Sequence, residues 1–265
     1  MGILNRLQLW GQWLTSDPVG FVVYLLYFAV AILATLILHE VAHGYVAYRC
    51  GDPTAKMLGR LSLDPRKHLD PVGTVFMVLF GFGWAKPVPV NPRNFRSGVR
   101  DDLLVSLAGV TVNFTLFLLS MALAVGINGL LWKPEIINAY GAKELLSSRG
   151  IGYGILLSGQ GGQAVEAMRT PWLQHVQRFL MLFFSLNLGV GVFNLLPIPP
   201  LDGWHVLDDV VFRGRLSLNR QVFQIAQFGL MALALTGALS GILGFLTGGI
   251  ESGVLNLFLR LAGHP

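Results

Sequence analysis

VGFVVYLLYFAVAILATLILHEVAHGY, Val19–Tyr45, decides the fold. Val19–Leu38 holds no Asp, Glu, Lys or Arg and can cross the ~30 Å hydrocarbon core of a bilayer as one helix, which takes roughly 20 residues. Three ionisable side chains follow at once: His39, Glu40 and His43. A charged side chain within a membrane helix costs ~2.5–3.5 kcal/mol on translocon scales unless it finds a partner or a wet cavity. Three within five positions call for a reason other than spanning.

The rest of the chain has the composition of a membrane protein. Of 265 residues, 53% are hydrophobic and only 12% charged, with a mean hydropathy of +0.60. Three further stretches lack Asp, Glu, Lys and Arg over spanning length: Leu103–Trp132, Phe179–Leu201 and Gln221–Ile250. Pro71–Ala85 is apolar but would rise only about 22 Å as a straight helix and is interrupted by the glycines of GFGWA, so a re-entrant or partly submerged course is expected. The alternating apolar residues of Met57–Leu63 predict short strands, and the alternate prolines of Lys86–Phe95 confine that segment to an edge strand or an extended run. The fold class expected is therefore an all-α polytopic membrane protein with about four transmembrane helices, a re-entrant segment and short membrane-associated β-strands. Its organisation reads as an interfacial segment over 1–18, a membrane core over 19–215 that includes a non-cytoplasmic loop at 133–172, and a C-terminal transmembrane helix and tail over 216–265.

Charge supplies the orientation. With Pro71–Ala85 not crossing, twelve cations fall on one side, nine between Arg49 and Arg100 together with Arg213, Arg215 and Arg220, against six on the other. The positive-inside rule makes the first side cytoplasmic and places the multi-pass chain in an inner or plasma membrane, with the histidines toward the cytoplasm. The formal charge of +5 then reflects topology and contact with the lipid bilayer rather than nucleic acid. A single cysteine, Cys50, excludes an intrachain disulfide framework and a multi-thiolate zinc site.

His39 and His43 are four apart, so a helix puts them on one face, one turn from each other. Two imidazoles so spaced can bind one Zn²⁺ per chain, and Glu40 beside the first can act as general base. A catalytic zinc usually takes a third protein ligand. FNLLPIPPLDGWHVLDD, Phe193–Asp209, is where one would come from: Pro197, Pro199 and Pro200 must break the third spanning helix, which is tolerated at membrane depth only where it lines a cavity. Asp202 or His205 could complete the shell on chemistry alone; the alternative for Asp202 is a helix cap. In SLAGVTVNF, Ser106–Phe114, Ala108 and Gly109 allow close helix approach, and Asn113 is either interhelical glue or a hydrogen-bond donor to substrate or oxyanion.

Taken together, HEVAHGYVAYRCGDPTAKMLGRLSLDPRKHLDPVGT, GFGWAKPVPVNPRNFR, LAGVTVN and FNLLPIPPLDG resemble the site-2 protease family of intramembrane zinc metalloproteases, in its compact bacterial branch without PDZ or CBS domains. They cover most of Leu36 to Asp209. The resemblance implies that His39, His43 and Asp202 ligate zinc, that Glu40 is the general base, that Asn113 lies near the reaction centre, and that Asn194 and Pro197 form the N-x-x-P part of the LDG motif. Val110 stands where the family usually has a proline, which could straighten the helix and move Asn113.

The reaction expected is hydrolysis of peptide bonds within or next to the transmembrane helix of a membrane-protein substrate, with an unwound stretch of that substrate held along Val88–Val90 by strand addition. Its rivals are a membrane zinc-binding or transport protein and a catalytically inactive homologue. A transporter should distribute ionisable side chains across its spans, whereas here they cluster at one depth, with Arg178 alone near the start of another helix.

Overall fold

A computed structural model describes residues 3–80, 84–157, 162–216 and 218–263. The described chain is built from helices joined by turns. Four of them are long and apolar enough to cross a membrane: α2 (Pro18–Cys50), α5 (Val99–Leu131), α9 (Leu173–Asn194) and α12 (Ala238–Leu261). They are preceded or connected by α1 (Ile3–Ser16), α3 (Thr54–Met57), α4 (Pro71–Phe80), three short helices α6 (Pro134–Tyr140), α7 (Ala142–Leu146) and α8 (Ile151–Leu157), α10 (Asp202–Leu207) and α11 (Arg220–Thr236).

The start of α2 follows from its sequence. Pro18 occupies the first helical position, where a missing N–H costs nothing, and Asp17 caps the end by accepting the Gly20 N–H at 2.9 Å. The helix then runs past the apolar stretch, through His39 and His43, to Cys50.

The chain divides into two compact units. One comprises Met1–Leu7, Leu33–Phe114 and Gly189–Gly244 and contains every residue of the candidate site; the other comprises Gln8–Ile32, Thr115–Leu188 and Phe245–Pro265. In the second unit Ala31, Leu157 and Leu182 form a buried cluster covered by Tyr24, Tyr27, Tyr153 and Phe179, and Phe117 meets Phe184 edge-on at 6.5 Å. There too, Arg178 is answered by the face of Tyr27, whose hydroxyl lies 3.0 Å from His175 Nδ1.

Three expectations need correction. No β-strand forms among the described residues, which hold only isolated bridges between Leu69 and Ala85 and between Trp132 and Met168. Met57 ends helix α3 and a turn follows, while the prolines of Lys86–Phe95 remove alternate donors and the remaining ones go elsewhere: Lys86 N–H to His68 O, Val88 N–H to Glu40 and Asn91 N–H to Asp52. The re-entrant course of Pro71–Ala85 is not supported either. Asp70 caps a regular ten-residue helix at Pro71, and Gly81–Gly83 lie outside the described residues. Finally, Gln221–Ile250 is not one helix, because Gly237 adopts a left-handed φ of 81° and closes α11, so the fourth span is α12.

Candidate metal centre

The site begins with two imidazoles on one face of α2. His39 is 4% exposed and His43 9%, and their Nε2 atoms approach to 3.0 Å. Helix α5 fixes both rings. His43 Nδ1 lies 2.7 Å from the Val105 carbonyl and His39 Nδ1 2.5 Å from Asn113 Oδ1. A carbonyl oxygen can only accept, so each Nδ1 carries the proton and each Nε2 presents a lone pair.

Val105, Gly109 and Asn113 recur every four residues and share a face of α5. Gly109 is what lets that face come close: a Cβ there would stand 2.5 Å from His43 Nε2 and 2.6 Å from His39 Cε1. The helix is continuous through Val110, so the residue in place of the family's proline does not prevent Asn113 from reaching His39. That contact makes Asn113, fully buried, an acceptor that orients a ring.

The third component comes from the proline break. Helix α9 ends at Asn194, and the chain turns through Pro197, Pro199 and Pro200 before α10 starts at Asp202. Gly203 lets this start fold back on the end of α9, since a Cβ there would lie 2.3 Å from the Leu195 carbonyl oxygen. Asp202 Oδ2 consequently reaches 3.2 Å from His39 Nε2 and 3.3 Å from His43 Nε2.

These three atoms form a nearly equilateral triangle of lone pairs. With both Nδ1 protons committed to α5, no proton remains on the imidazoles to separate them, and Asp202 Oδ2 is buried with no hydrogen-bond partner. Such a triangle answers to a cation. A tetrahedral zinc with ligands at ~2.0–2.1 Å spaces its donors by roughly 3.3 Å, and the Nδ1 partners supply the outer hydrogen bonds that metal-bound histidines need. His39, His43 and Asp202 are the group of metal-capable side chains found among the described residues. His205, the alternative third ligand, is exposed and outside it.

Glu40 follows His39 on α2 and turns toward the proline segment, where its Oε2 accepts the Val88 N–H at 2.8 Å. Asn194 does not join the donors: its amide donates to the Val190 carbonyl at 3.0 Å, on its own helix. Val90 lies beyond Val88 on the same extended segment.

Two groups near the site, one holding a ligand ring and one holding the proline segment, carry little or no signal in the sequence. The Val105 carbonyl has none, being a backbone group. Asp52 has one, an aspartate before proline, but that pattern announces a turn and not the fully buried acceptor it proves to be.

Residues 27–237 match peptidase family M50. The chain belongs to that family. Among its relatives, YwhC of Bacillus subtilis is 37% identical over 185 residues, which are 70% of this chain and 69% of YwhC. Rip2 of Mycobacterium tuberculosis is 28% identical over 247 residues, 88% of this chain and 76% of Rip2. Both bear names containing the words zinc metalloprotease. No solved structure matches the chain. The site-2 protease resemblance and the M50 match thus agree, and the matched span contains every residue of the triangle.

Proposed function

We propose that this M50 protein is an intramembrane zinc metalloendopeptidase that hydrolyses peptide bonds within or next to transmembrane segments of membrane proteins, as in regulated intramembrane proteolysis. The observation that carries this reading is the lone-pair triangle of His39, His43 and Asp202 with a carboxylate, Glu40, one residue from its first member. The names of YwhC and Rip2 point to the same metal and reaction class.

His39 Nε2, His43 Nε2 and Asp202 Oδ2 would hold the zinc. Bound there, zinc supplies Lewis acidity, which polarises a carbonyl and acidifies water near neutral pH. Everything else falls to the chain. Val88 holds Glu40 Oε2, which leaves Oε1 to take the proton of the attacking water and return it to the leaving amine. Asn113 acts through His39, keeping its Nε2 unprotonated. An unwound substrate segment lies along Val88–Val90, using the Val90 N–H, since the Val88 N–H is engaged. The twelve-to-six distribution of cations supports a cytoplasmic-side site in an inner or plasma membrane.

The test is Glu40→Gln in purified protein reconstituted with a single-span substrate. Cleavage is expected to fall by roughly 10²–10⁴-fold with zinc retained; cleavage at the wild-type rate would remove Glu40 from the mechanism.

A further inference from the structure

The base is held by a backbone donor in a segment with almost no internal freedom, and one buried acid outside the metal centre sets where that segment lies. Asp52 follows the last turn of α2, to which it is tied by its own N–H donating to the Ala47 carbonyl at 2.9 Å. Its side chain is fully buried and accepts on both oxygens. Oδ2 takes the Asn91 N–H at 2.7 Å; Oδ1 takes the Asn94 amide at 2.7 Å, the Thr54 N–H at 3.1 Å and the Thr54 hydroxyl at 2.5 Å. The Arg96 N–H to Cys50 carbonyl bond, 3.1 Å, adds a stitch between the same two stretches.

Only Pro89 and Val90 separate the anchored Asn91 from Val88, and Pro87, Pro89 and Pro92 each hold their own φ angle near −65°. At the other end, the Lys86 N–H donates to His68 O at 2.8 Å, and Arg60 Nη2 donates to the Lys86 and Pro87 carbonyls at 2.8 and 3.2 Å. Val88 is then pressed on α2 one turn beyond Glu40, where a Cβ on Gly44 would come within 2.9 Å of Val88 Cγ1. A semi-rigid segment pinned at both ends presents a single N–H to the base.

We propose that Asp52 is a positioning residue for the reaction: it locks the proline segment to the end of the metal-ligand helix so that the Val88 N–H orients the Glu40 carboxylate. The catalytic role of Glu40 in this statement rests on the function proposed above. The hydrogen-bond relay does not.

Asp52→Asn tests it selectively. Oδ1 has three donors and Oδ2 one, so the substituted amide keeps its oxygen toward Thr54 and Asn94 and turns an NH₂ against the Asn91 N–H. Hydrogen exchange reads the relay without activity, because Pro87–Pro92 contains only the amides of Val88, Val90 and Asn91. Exchange at Asn91 and Val88 should both accelerate about 10-fold or more in Asp52→Asn, whereas Glu40→Ala should release Val88 alone. In the same protein kcat should fall roughly 10-fold, the size expected for losing an outer-shell partner, with KM and bound zinc within about 2-fold of wild type. Asn94→Ala, at an exposed position, supplies a gentler version should Asp52→Asn fold poorly, with the same pattern at smaller amplitude. Val88 remaining protected while Asn91 is released, or kcat unchanged in the presence of both releases, overturns the proposal. A wild-type protein that cleaves nothing yet shows the relay by exchange overturns the proposed function and leaves the relay standing.

Discussion

Two acids with buried carboxylate oxygens, one in each compact unit, meet their surroundings in opposite ways. Glu251 sits in α12 at 5% exposure and is fully answered: Ser148 donates its N–H at 2.7 Å and its hydroxyl at 2.5 Å, and the Ser147 hydroxyl lies 3.5 Å away. Asp202 Oδ2 meets two imidazole lone pairs and no donor. Hydrogen bonds to a carboxylate satisfy it within the protein, and Glu251 clamps Ser147–Ser148 to α12. Lone pairs converging on a carboxylate leave it open to a cation. Burial of a carboxylate oxygen thus says little about function until its partners are sorted into donors and acceptors.

Exchanging carboxylate for amide at each position breaks or sharpens that contrast. Asp202→Asn should lose bound zinc and all measurable cleavage, because an NH₂ or a neutral carbonyl replaces an anionic ligand; zinc content by mass spectrometry decides it. A methyl at Gly109 should come next. Gly109→Ala drives a Cβ onto both rings, so zinc affinity should drop about 10–100-fold while helicity by circular dichroism is kept. Glu251→Ala leaves an N–H and a hydroxyl unpaired, for an expected ~1–3 kcal/mol of stability, whereas Glu251→Gln, which rotating serine hydroxyls can accommodate, should stay within ~0.5 kcal/mol. Neither should change zinc content. If Glu251→Gln stripped the metal as Asp202→Asn does, the contrast would fail.

Asp209 offers a third answer, a proton. It is 7% exposed with Oδ2 unpartnered, and burial, followed by the charges of Asp102 and Asp208, pushes its carboxyl up from 3.8 to about 6. With a folded-state pKa above the unfolded one, the folded protein binds more protons between these values, so stability falls as pH rises through that window. Asp209→Asn removes the penalty. It should raise Tm by ~2 °C at pH 7.5, with the gain gone at pH 4, a shift that thermal melts at the two pH values can follow.

Side chains carry most of what is legible in this sequence. Three uncharged apolar runs correspond to the spanning helices α2, α5 and α9, while the fourth is divided at Gly237 between α11 and α12; His39 and His43 stand out by ligand spacing, and the proline break marks the segment that brings Asp202 to them. The backbone carries what stays hidden. Alternating prolines in Lys86–Phe95 signal an extended chain but not who takes the Val88 and Asn91 N–H groups, which here are Glu40 and Asp52 rather than a neighbouring strand. The break at Gly237 is masked by uninterrupted apolarity, since hydropathy does not register a left-handed φ. For Asn113 the residue type suggests an NH₂ donor, and its oxygen is what the structure puts against His39.

Val105 and Asn113, the two groups that hold the imidazole protons, are eight residues apart on α5, or ~12 Å along its axis. A single rod therefore sets both tautomers. Turning α5 by the ~100° that separates neighbouring residues would carry both acceptors away together, freeing both rings to swap their protons to Nε2 and quench both lone pairs at once. The metal centre is in that sense a gauge of one helix's rotation, and a spectroscopically visible ion such as Co²⁺ in place of zinc would be its dial.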